Sequence, residues 1–140
     1  MKNSNRGKQK LLRMALLGNA IFSTMSGLTL LAAEKPVVQI LGLPGGTQLF
    51  SLGVGLLVFA LILILFARKA PIKPSNAWIV VILDVAWIIG SYLLLFVAPL
   101  STSGKWVVGV VAEVVLIFAL VQWLGIRRIQ KGNAAPELAP

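Results

Sequence analysis

The sequence predicts an all-α membrane protein, a four-helix up-down-up-down transmembrane bundle with both termini cytoplasmic. Three observations predict it. Hydrophobic residues make up 58% of the 140 residues and charged residues only 12%, against roughly 25% charged residues in an ordinary soluble domain. The charges are confined to the two ends and to the segments between apolar runs. The apolar runs number four, and each is long enough to cross the hydrocarbon core of a bilayer.

The first predicted span, residues 11–33, follows a basic N-terminal segment, residues 1–10. At about 1.5 Å per residue this span covers a hydrocarbon core of about 30 Å. A cleavable signal peptide is the alternative, because a basic start and the small residues Ala32-Ala33 suit a cleavage site. The apolar run is longer than the usual core of a signal peptide, and Leu31 stands where a small residue is expected. We therefore expect a retained helix.

The connection over residues 34–47 contains Pro36 and the glycine-rich run Leu41–Gly46, which break a continuous helix. We predict a loop that dips into the headgroup region. Two alternatives are a short amphipathic turn that includes Val37 and Ile40 and a re-entrant segment that binds a ligand.

The remaining predicted spans are residues 48–67, 77–98 and 106–126. The short connections between them favour antiparallel neighbours. Residues 11–128 therefore form a single four-helix transmembrane domain. Residues 129–140 are rich in Ala and Pro and are predicted to be a disordered cytoplasmic tail.

The distribution of Lys and Arg predicts the orientation in the membrane. The N-terminal segment carries five of them, the loop Arg68–Asn76 three and the C-terminal segment three, whereas the other two loops carry one each. Cytoplasmic loops are the ones enriched in Lys and Arg. Both termini and the middle loop are therefore expected in the cytoplasm, as in a multi-pass protein of a bacterial inner membrane. The net charge of +9 then reflects topology, and we expect no nucleic-acid partner.

Asp84 is the main candidate functional residue, because a carboxylate within a span costs about 2.5–3.5 kcal/mol on insertion scales and needs a partner. It lies about 10 Å inside the predicted helix at the standard rise. Asn19 lies at nearly the same depth on the first span, with Ser23 one turn further on, and Gln122 is slightly nearer the cytoplasm. These depths predict a buried polar cluster of Asp84, Asn19, Ser23 and Gln122.

Glu113 is predicted to be a second buried acid, level with Ser26 and Ser91. Its depth differs from that of Asp84 by about 10 Å at the standard rise, so the two acids are not expected to form a carboxylate pair. They could form two stations of a proton or cation path, or each could be hydrogen-bonded and only fix the register of the helices.

Small residues recur at four-residue spacing on the first two spans, and such residues let membrane helices approach closely. Packing within the chain is the expectation, and a seam between two copies is the alternative. The residues are Asn19, Ser23 and Gly27, then Ser51 and Gly55.

Three tryptophans near span ends, Trp78, Trp106 and Trp123, are typical of the interfacial aromatic belt, whereas Trp87 is expected in the core.

The chain has no cysteine and no histidine. These absences exclude disulfides, thiolate metal sites, histidine haem ligands and the commonest general base. We therefore predict no catalytic residues, no cofactor and no metal ligands. Four-span transporters of the small multidrug-resistance type carry an essential Glu in the first helix, where this chain has Asn19.

The segments Gly18–Ser23 with Ser26-Gly27, Asp84–Ser91 and Phe118–Gln122 resemble those of a group of small bacterial four-span integral membrane proteins, mostly without an assigned function. The resemblance covers nearly all of residues 11–128. It implies the four-span layout and gives weight to Asn19, Asp84, Trp87 and Gln122. It implies no activity.

Three functions are compatible with these residues. The first is a non-catalytic membrane protein, either an accessory or scaffold subunit or a bundle that binds a lipid or another hydrophobic ligand. The second is a small transporter or proton-coupled channel that uses Asp84 and Glu113. The third, an enzyme acting on lipid with Asp84 as general base, lacks an accompanying nucleophile or metal site. The expected partners are membrane lipids and either a larger membrane complex or a second copy of the chain.

Overall fold

The computed structural model describes residues 2–134, with side chains over residues 6–134. Within this range the chain forms five helices: α1 (Lys2–Ala32), α2 (Glu34–Leu41), α3 (Thr47–Arg68), α4 (Pro74–Val97) and α5 (Thr102–Ala134). Four of them, α1, α3, α4 and α5, are long and apolar enough to cross a membrane. The prediction of an all-α, four-span fold is confirmed.

The bundle is built on a central pair of helices, α1 and α5. Helix α3 packs along α1, helix α4 packs along α5, and α3 and α4 scarcely contact each other. The expectation that the short connections would place neighbouring spans side by side is therefore wrong for α3 and α4. The short connection over residues 69–73 brings their ends together, but along their length they diverge because each packs on a different central helix.

The close approach of α1 to α3 depends on glycine. A Cβ on Gly27 would lie 2.9 Å from the carbonyl oxygen of Gly53, and a Cβ on Gly53 would lie 3.1 Å from that of Gly27. Such contacts between backbones are how membrane helices associate without a hydrophobic driving force. The expectation of packing within the chain is therefore right for Gly27. Gly55 is different, because no described atom lies within 4 Å of its Cβ position.

One end of the bundle, called the basic end below, carries Lys69 and Arg127. Here Arg13 of α1 donates hydrogen bonds from Nε to the carbonyl of Ala67 (2.9 Å) and from a terminal nitrogen to the carbonyl of Lys69 (3.1 Å). Both carbonyls lie at the C-terminus of α3. The last carbonyls of a helix have no hydrogen-bond partner within the helix, so they are free to accept from a side chain. Arg13 thus ties α1 to the end of α3.

The opposite end of the bundle is covered by α2. The prediction of a loop over residues 34–47 is wrong for its first half, and the alternative of a short amphipathic turn is nearer the structure. Leu41 packs in a small core with Leu49 and Leu100, and the carbonyl of Leu41 accepts a hydrogen bond from the N–H of Ser101 at 2.9 Å. The helix ends at Leu41 and is capped by Gly42, whose φ of 73° suits glycine.

Three helix ends differ from the predicted spans. Helix α1 begins at Lys2, so most of the predicted basic segment 1–10 is helical. Helix α4 begins at Pro74, a favoured residue at the first helical position. Helix α5 continues to Ala134, so the prediction of disorder is wrong for residues 129–134. Residues 135–140 of that predicted tail lie outside the described residues.

Candidate functional site

Asp84 is buried at the centre of the bundle, with 2% of its surface exposed. Its α4 face also carries Val80, Ile88 and Ser91, which are buried because they recur at helical spacing on the side of α4 that meets α5 and α1. The packing of this face therefore places Asp84 inside the bundle.

Two amides hold Asp84 in place. Asn19 Nδ2 donates a hydrogen bond to Asp84 Oδ2 at 2.8 Å, and Gln122 Nε2 donates to the same oxygen at 3.1 Å. Ser23 Oγ donates to Asn19 Oδ1 at 3.4 Å, a long bond. All four side chains of the polar cluster, Asn19, Ser23, Asp84 and Gln122, are buried. The structure thus brings together the four residues that depth matching grouped, from α1, α4 and α5.

The polar cluster has hydrogen-bonding capacity to spare. Both partners of Asp84 are neutral amides, and both bind Oδ2. Among the described residues, Gln122 Oε1 and Trp87 Nε1 are buried polar atoms without a hydrogen-bond partner. Such atoms are costly in a low-dielectric interior. The second carboxyl oxygen of Asp84, which neither amide binds, is therefore the atom of the cluster that is left to a further polar group.

A cavity of about 270 Å³ opens onto this cluster. Asp84, Asn19 and Ser23 lie at its polar side, with the hydroxyls of Ser26 and Ser51 further along. The rest of the lining is largely apolar and comes from all four spans: Phe22, Leu52, Gly55, Leu56, Phe59, Leu83, Trp87, Val111 and Val115. The cavity exists because α3 and α4 diverge, so the space between them is not filled by side chains.

Glu113 is not a second buried acid. It is exposed on the outer side of α5 and accepts a hydrogen bond from the hydroxyl of Tyr92 on α4, at 2.5 Å. Ser91 is buried but donates to the carbonyl of Trp87 on its own helix, and Ser26 lines the cavity. The predicted group of Glu113, Ser26 and Ser91 therefore does not form, because α5 is rotated so that Glu113 points away from the bundle.

The tryptophans occupy three kinds of position. Trp106 is largely exposed, and the ring of Trp123 lies 4.7 Å from the guanidinium carbon of Arg127, an arrangement that suits an interfacial aromatic residue. Trp78 packs partly buried against the core near the basic end. Trp87, expected in the core, packs partly buried against Ile88, Val115 and Ala119 and also lines the cavity.

Sequence reasoning missed two parts of this site. The apolar walls contributed by Leu56 and Phe59 carry no signal, because such residues are ordinary in any membrane span. Tyr92 could have been found, since it is the only tyrosine in the chain and lies near the depth of Glu113. Comparison of the chain with models of protein families, with curated proteins and with solved structures finds no match.

The arrangement can recognise an amphiphile. A carboxyl group beside an amide and a hydroxyl at one side of an apolar cavity suits a molecule with a small polar head and a hydrocarbon body. Within residues 2–134 no group of His, Cys, Asp and Glu could hold a metal ion. At the cavity, the side chains of Asp84, Asn19 and Ser23 offer hydrogen bonds, and the carboxyl of Asp84 can also exchange a proton.

Proposed function

We propose that this chain is a multi-pass protein of a bacterial inner membrane that binds a lipid-soluble amphiphile in the cavity between α3 and α4. The single observation that carries the proposal is the cavity of about 270 Å³ with Asp84, Asn19 and Ser23 at its polar side. A ligand head that donates a hydrogen bond to Asp84 would use the carboxyl oxygen that the two amides leave free. Its hydrocarbon part would lie against Leu52, Leu56 and Phe59.

The proposed orientation places both termini, and hence the basic end, in the cytoplasm. Its support is the distribution of Lys and Arg, eleven of which lie in the terminal segments and the middle loop of a chain with thirteen. Such an excess marks the cytoplasmic side of membrane proteins. A ligand would then bind in the cytoplasmic half of the bundle, because Asp84 lies about 15 Å from the start of the 24-residue helix α4 at Pro74 at the standard helical rise.

The proposed binding is non-catalytic, as for a carrier, a sensor or an accessory subunit that holds a lipid. A path for protons or cations is the second candidate, favoured by the hydroxyls of Ser26 and Ser51 that continue the polar side of the cavity beyond Asp84. The path is less well supported because Glu113, the expected second station for the proton or cation, points away from the cavity. Its carboxylate instead accepts a hydrogen bond from Tyr92. Binding therefore explains more of the geometry than a path does.

The test uses the fluorescence of Trp87 inside the cavity. A variant with Trp78, Trp106 and Trp123 changed to Phe retains Trp87 alone, and bromoundecanol serves as a quenching amphiphile. We expect saturable quenching of Trp87 by bromoundecanol, and weaker quenching by bromoundecane, which has no hydroxyl. A hydrogen bond to a charged group contributes about 1.5–3 kcal/mol, so the alcohol should bind at least about tenfold more tightly.

Asp84→Asn and Glu113→Gln form a matched pair of variants, because each replaces an acid by its amide. Asp84→Asn should weaken binding of bromoundecanol several-fold, because a neutral amide forms a weaker hydrogen bond than a carboxylate, whereas Glu113→Gln should leave it unchanged. Equal quenching by the two probes, or equal affinity in the two variants, contradicts the proposal. The path is tested separately in proteoliposomes, where a proton flux abolished by Asp84→Asn at unchanged protein level favours transport instead.

A further inference from the structure

The cavity beside Asp84 opens sideways, between α3 and α4. Three of its lining residues, Leu52 and Gly55 on α3 and Leu83 on α4, are exposed at the surface of the chain. These two helices scarcely contact each other, whereas Asn19 on the opposite wall is buried. The cavity therefore reaches the outside of the bundle between the three exposed residues, which are called the α3–α4 entrance below.

The α3–α4 entrance lies at the depth of the hydrocarbon core. Gly55 is about 12 Å from the start of α3 at Thr47, and Leu83 is about 14 Å from the start of α4 at Pro74, at the opposite end of the bundle. Because the hydrocarbon core of a bilayer is about 30 Å thick, both sides of the opening lie well inside it. A molecule that passes through the opening therefore comes from the lipid and not from water.

The cavity is too small to enclose a membrane lipid. Its volume of about 270 Å³ lies below the range of about 300–1,000 Å³ in which a pocket buries most of a drug-sized ligand. It can enclose a polar head and the first part of one hydrocarbon chain. The rest of that chain then has to pass out through the α3–α4 entrance and lie among the lipid chains.

We propose that the ligand is an amphiphile with a single hydrocarbon chain, which enters from the bilayer through the α3–α4 entrance and leaves the end of its chain in the lipid. This inference rests on the proposed function, to which it adds the class of the ligand and its route. The head donates a hydrogen bond to the carboxyl oxygen of Asp84 that the amides leave free. The chain runs outward past Gly55.

Gly55 is the residue that sets the width of the α3–α4 entrance. A Cβ at this position would meet no described atom within 4 Å, although the residue lines the cavity. Gly27 and Gly53 differ, because their Cβ positions lie 2.9 Å and 3.1 Å from a backbone oxygen of the facing helix. Glycine at position 55 therefore does not serve close packing of helices. It provides open space, which a larger side chain would take from the chain of the ligand.

The experiment compares Gly55→Leu with Gly109→Leu in the variant that retains Trp87 as its single tryptophan. Gly109 on α5 is the matched control, because a Cβ there also meets nothing within 4 Å and the residue is not part of the cavity lining. Both glycines lie about two helical turns from the start of their helices. The full-length protein is reconstituted in vesicles of dioleoylphosphatidylcholine, and saturable quenching by bromoundecanol is measured.

We expect Gly55→Leu to weaken binding of bromoundecanol at least about tenfold, since even one methylene changes the affinity of an apolar pocket by about this factor. Gly109→Leu should change it less than about twofold, as for an independent site. Gly55→Ala should have an intermediate effect. Unlabelled dodecanol, which has one chain, should displace bromoundecanol. Dioleoylglycerol, which carries its hydroxyl on two chains, should not displace it at the same mole fraction.

Unchanged binding of bromoundecanol to Gly55→Leu would overturn the route past Gly55, and an equal loss in Gly109→Leu would show a general effect of the added side chain. Displacement by dioleoylglycerol as effective as that by dodecanol would refute the requirement for a single chain. Absence of saturable quenching in the protein with Gly55 intact would overturn the proposed function itself, so the two failures are distinguishable.

The stability of both Leu variants is measured by titration with sodium dodecyl sulfate. Each added side chain starts in open space, so both variants should unfold at the same detergent fraction as the parent protein. A Gly55→Leu variant that unfolds earlier than Gly109→Leu would show that position 55 is packed and not open, which contradicts the proposal.

Discussion

Replacing Asn19 by Leu tests whether the polar cluster holds the helices together. Leu has nearly the shape of Asn but cannot donate the hydrogen bond of 2.8 Å to Asp84. Hydrogen bonds to charged groups contribute about 1.5–3 kcal/mol, whereas side-chain hydrogen bonds in membrane bundles average about 0.6 and reach about 1.7 kcal/mol. Because the carboxyl is buried and Gln122 still binds it, we expect a coupling energy of about 1.5 kcal/mol.

The measurement is a double-mutant cycle of Asn19→Leu and Asp84→Leu. Unfolding of the purified protein is driven by sodium dodecyl sulfate in mixed micelles and followed by tryptophan fluorescence. The double variant should be more stable than the sum of the single effects predicts, because the bond between Asn19 and Asp84 is lost only once in it. Gln122 and Ser23 lose their partners in the double variant just as they do in the single variants. The control cycle pairs Asn19→Leu with Glu113→Leu, and these distant changes should add within about 0.3–0.5 kcal/mol.

The reasoning is refuted if the two cycles agree. A coupling between Asn19 and Asp84 below about 0.5 kcal/mol, the additivity limit for independent sites, would mean that the hydrogen bond adds nothing to the stability of the bundle. Ligand binding would then be the only proposed role of the polar cluster that remains. That outcome would leave the fluorescence test with bromoundecanol unaffected, because the test depends on the free carboxyl oxygen and not on Asn19.

Two further predictions concern the contacts between α1 and α3. Gly27→Val should destabilise the protein by about 1–3 kcal/mol, the usual cost of overpacking, because its Cβ would lie 2.9 Å from a backbone oxygen of α3. Gly55→Ala, where the added atom meets nothing within 4 Å, should be nearly neutral in the same detergent titration. Arg13→Met should lower stability by about 1–2 kcal/mol, because it removes both hydrogen bonds to the C-terminus of α3. Arg13→Lys should restore only part of that loss if the planar guanidinium is what matters, and full restoration in the titration would contradict this role.

Depth in the membrane could be predicted from the sequence, and rotation about the helix axis could not. Helical rise and the ends of the apolar runs fix how far each residue lies from the interface, which placed Asn19, Asp84 and Gln122 at one level. The same arithmetic placed Glu113 level with Ser91 but could not show that it faces outward. In soluble helices the apolar stripe marks the inside, whereas both faces of a membrane helix are apolar, so the sequence pattern does not distinguish them.

The order of helix packing was also beyond the sequence. Short connections predict sequential neighbours, and this holds where α4 meets α5. It fails for α3 and α4, because α1 and α5 pack directly on each other through close contacts such as Gly125, whose Cβ position lies 3.0 Å from Leu12 Cβ. Contacts between residues so distant in sequence leave no local signal. The cavity that results from them was therefore not predictable either.

The divergence of α3 from α4 makes the molecule two helical hairpins that share one interface, α1 against α5. The polar cluster is complete only when the two hairpins are docked, because Asn19 belongs to one and Asp84 and Gln122 to the other. We therefore expect the two hairpins to insert first and to dock afterwards, with the hydrogen bond from Asn19 to Asp84 joining them. A chain divided within residues 69–73 should therefore reassemble into the same bundle from its two separately expressed fragments.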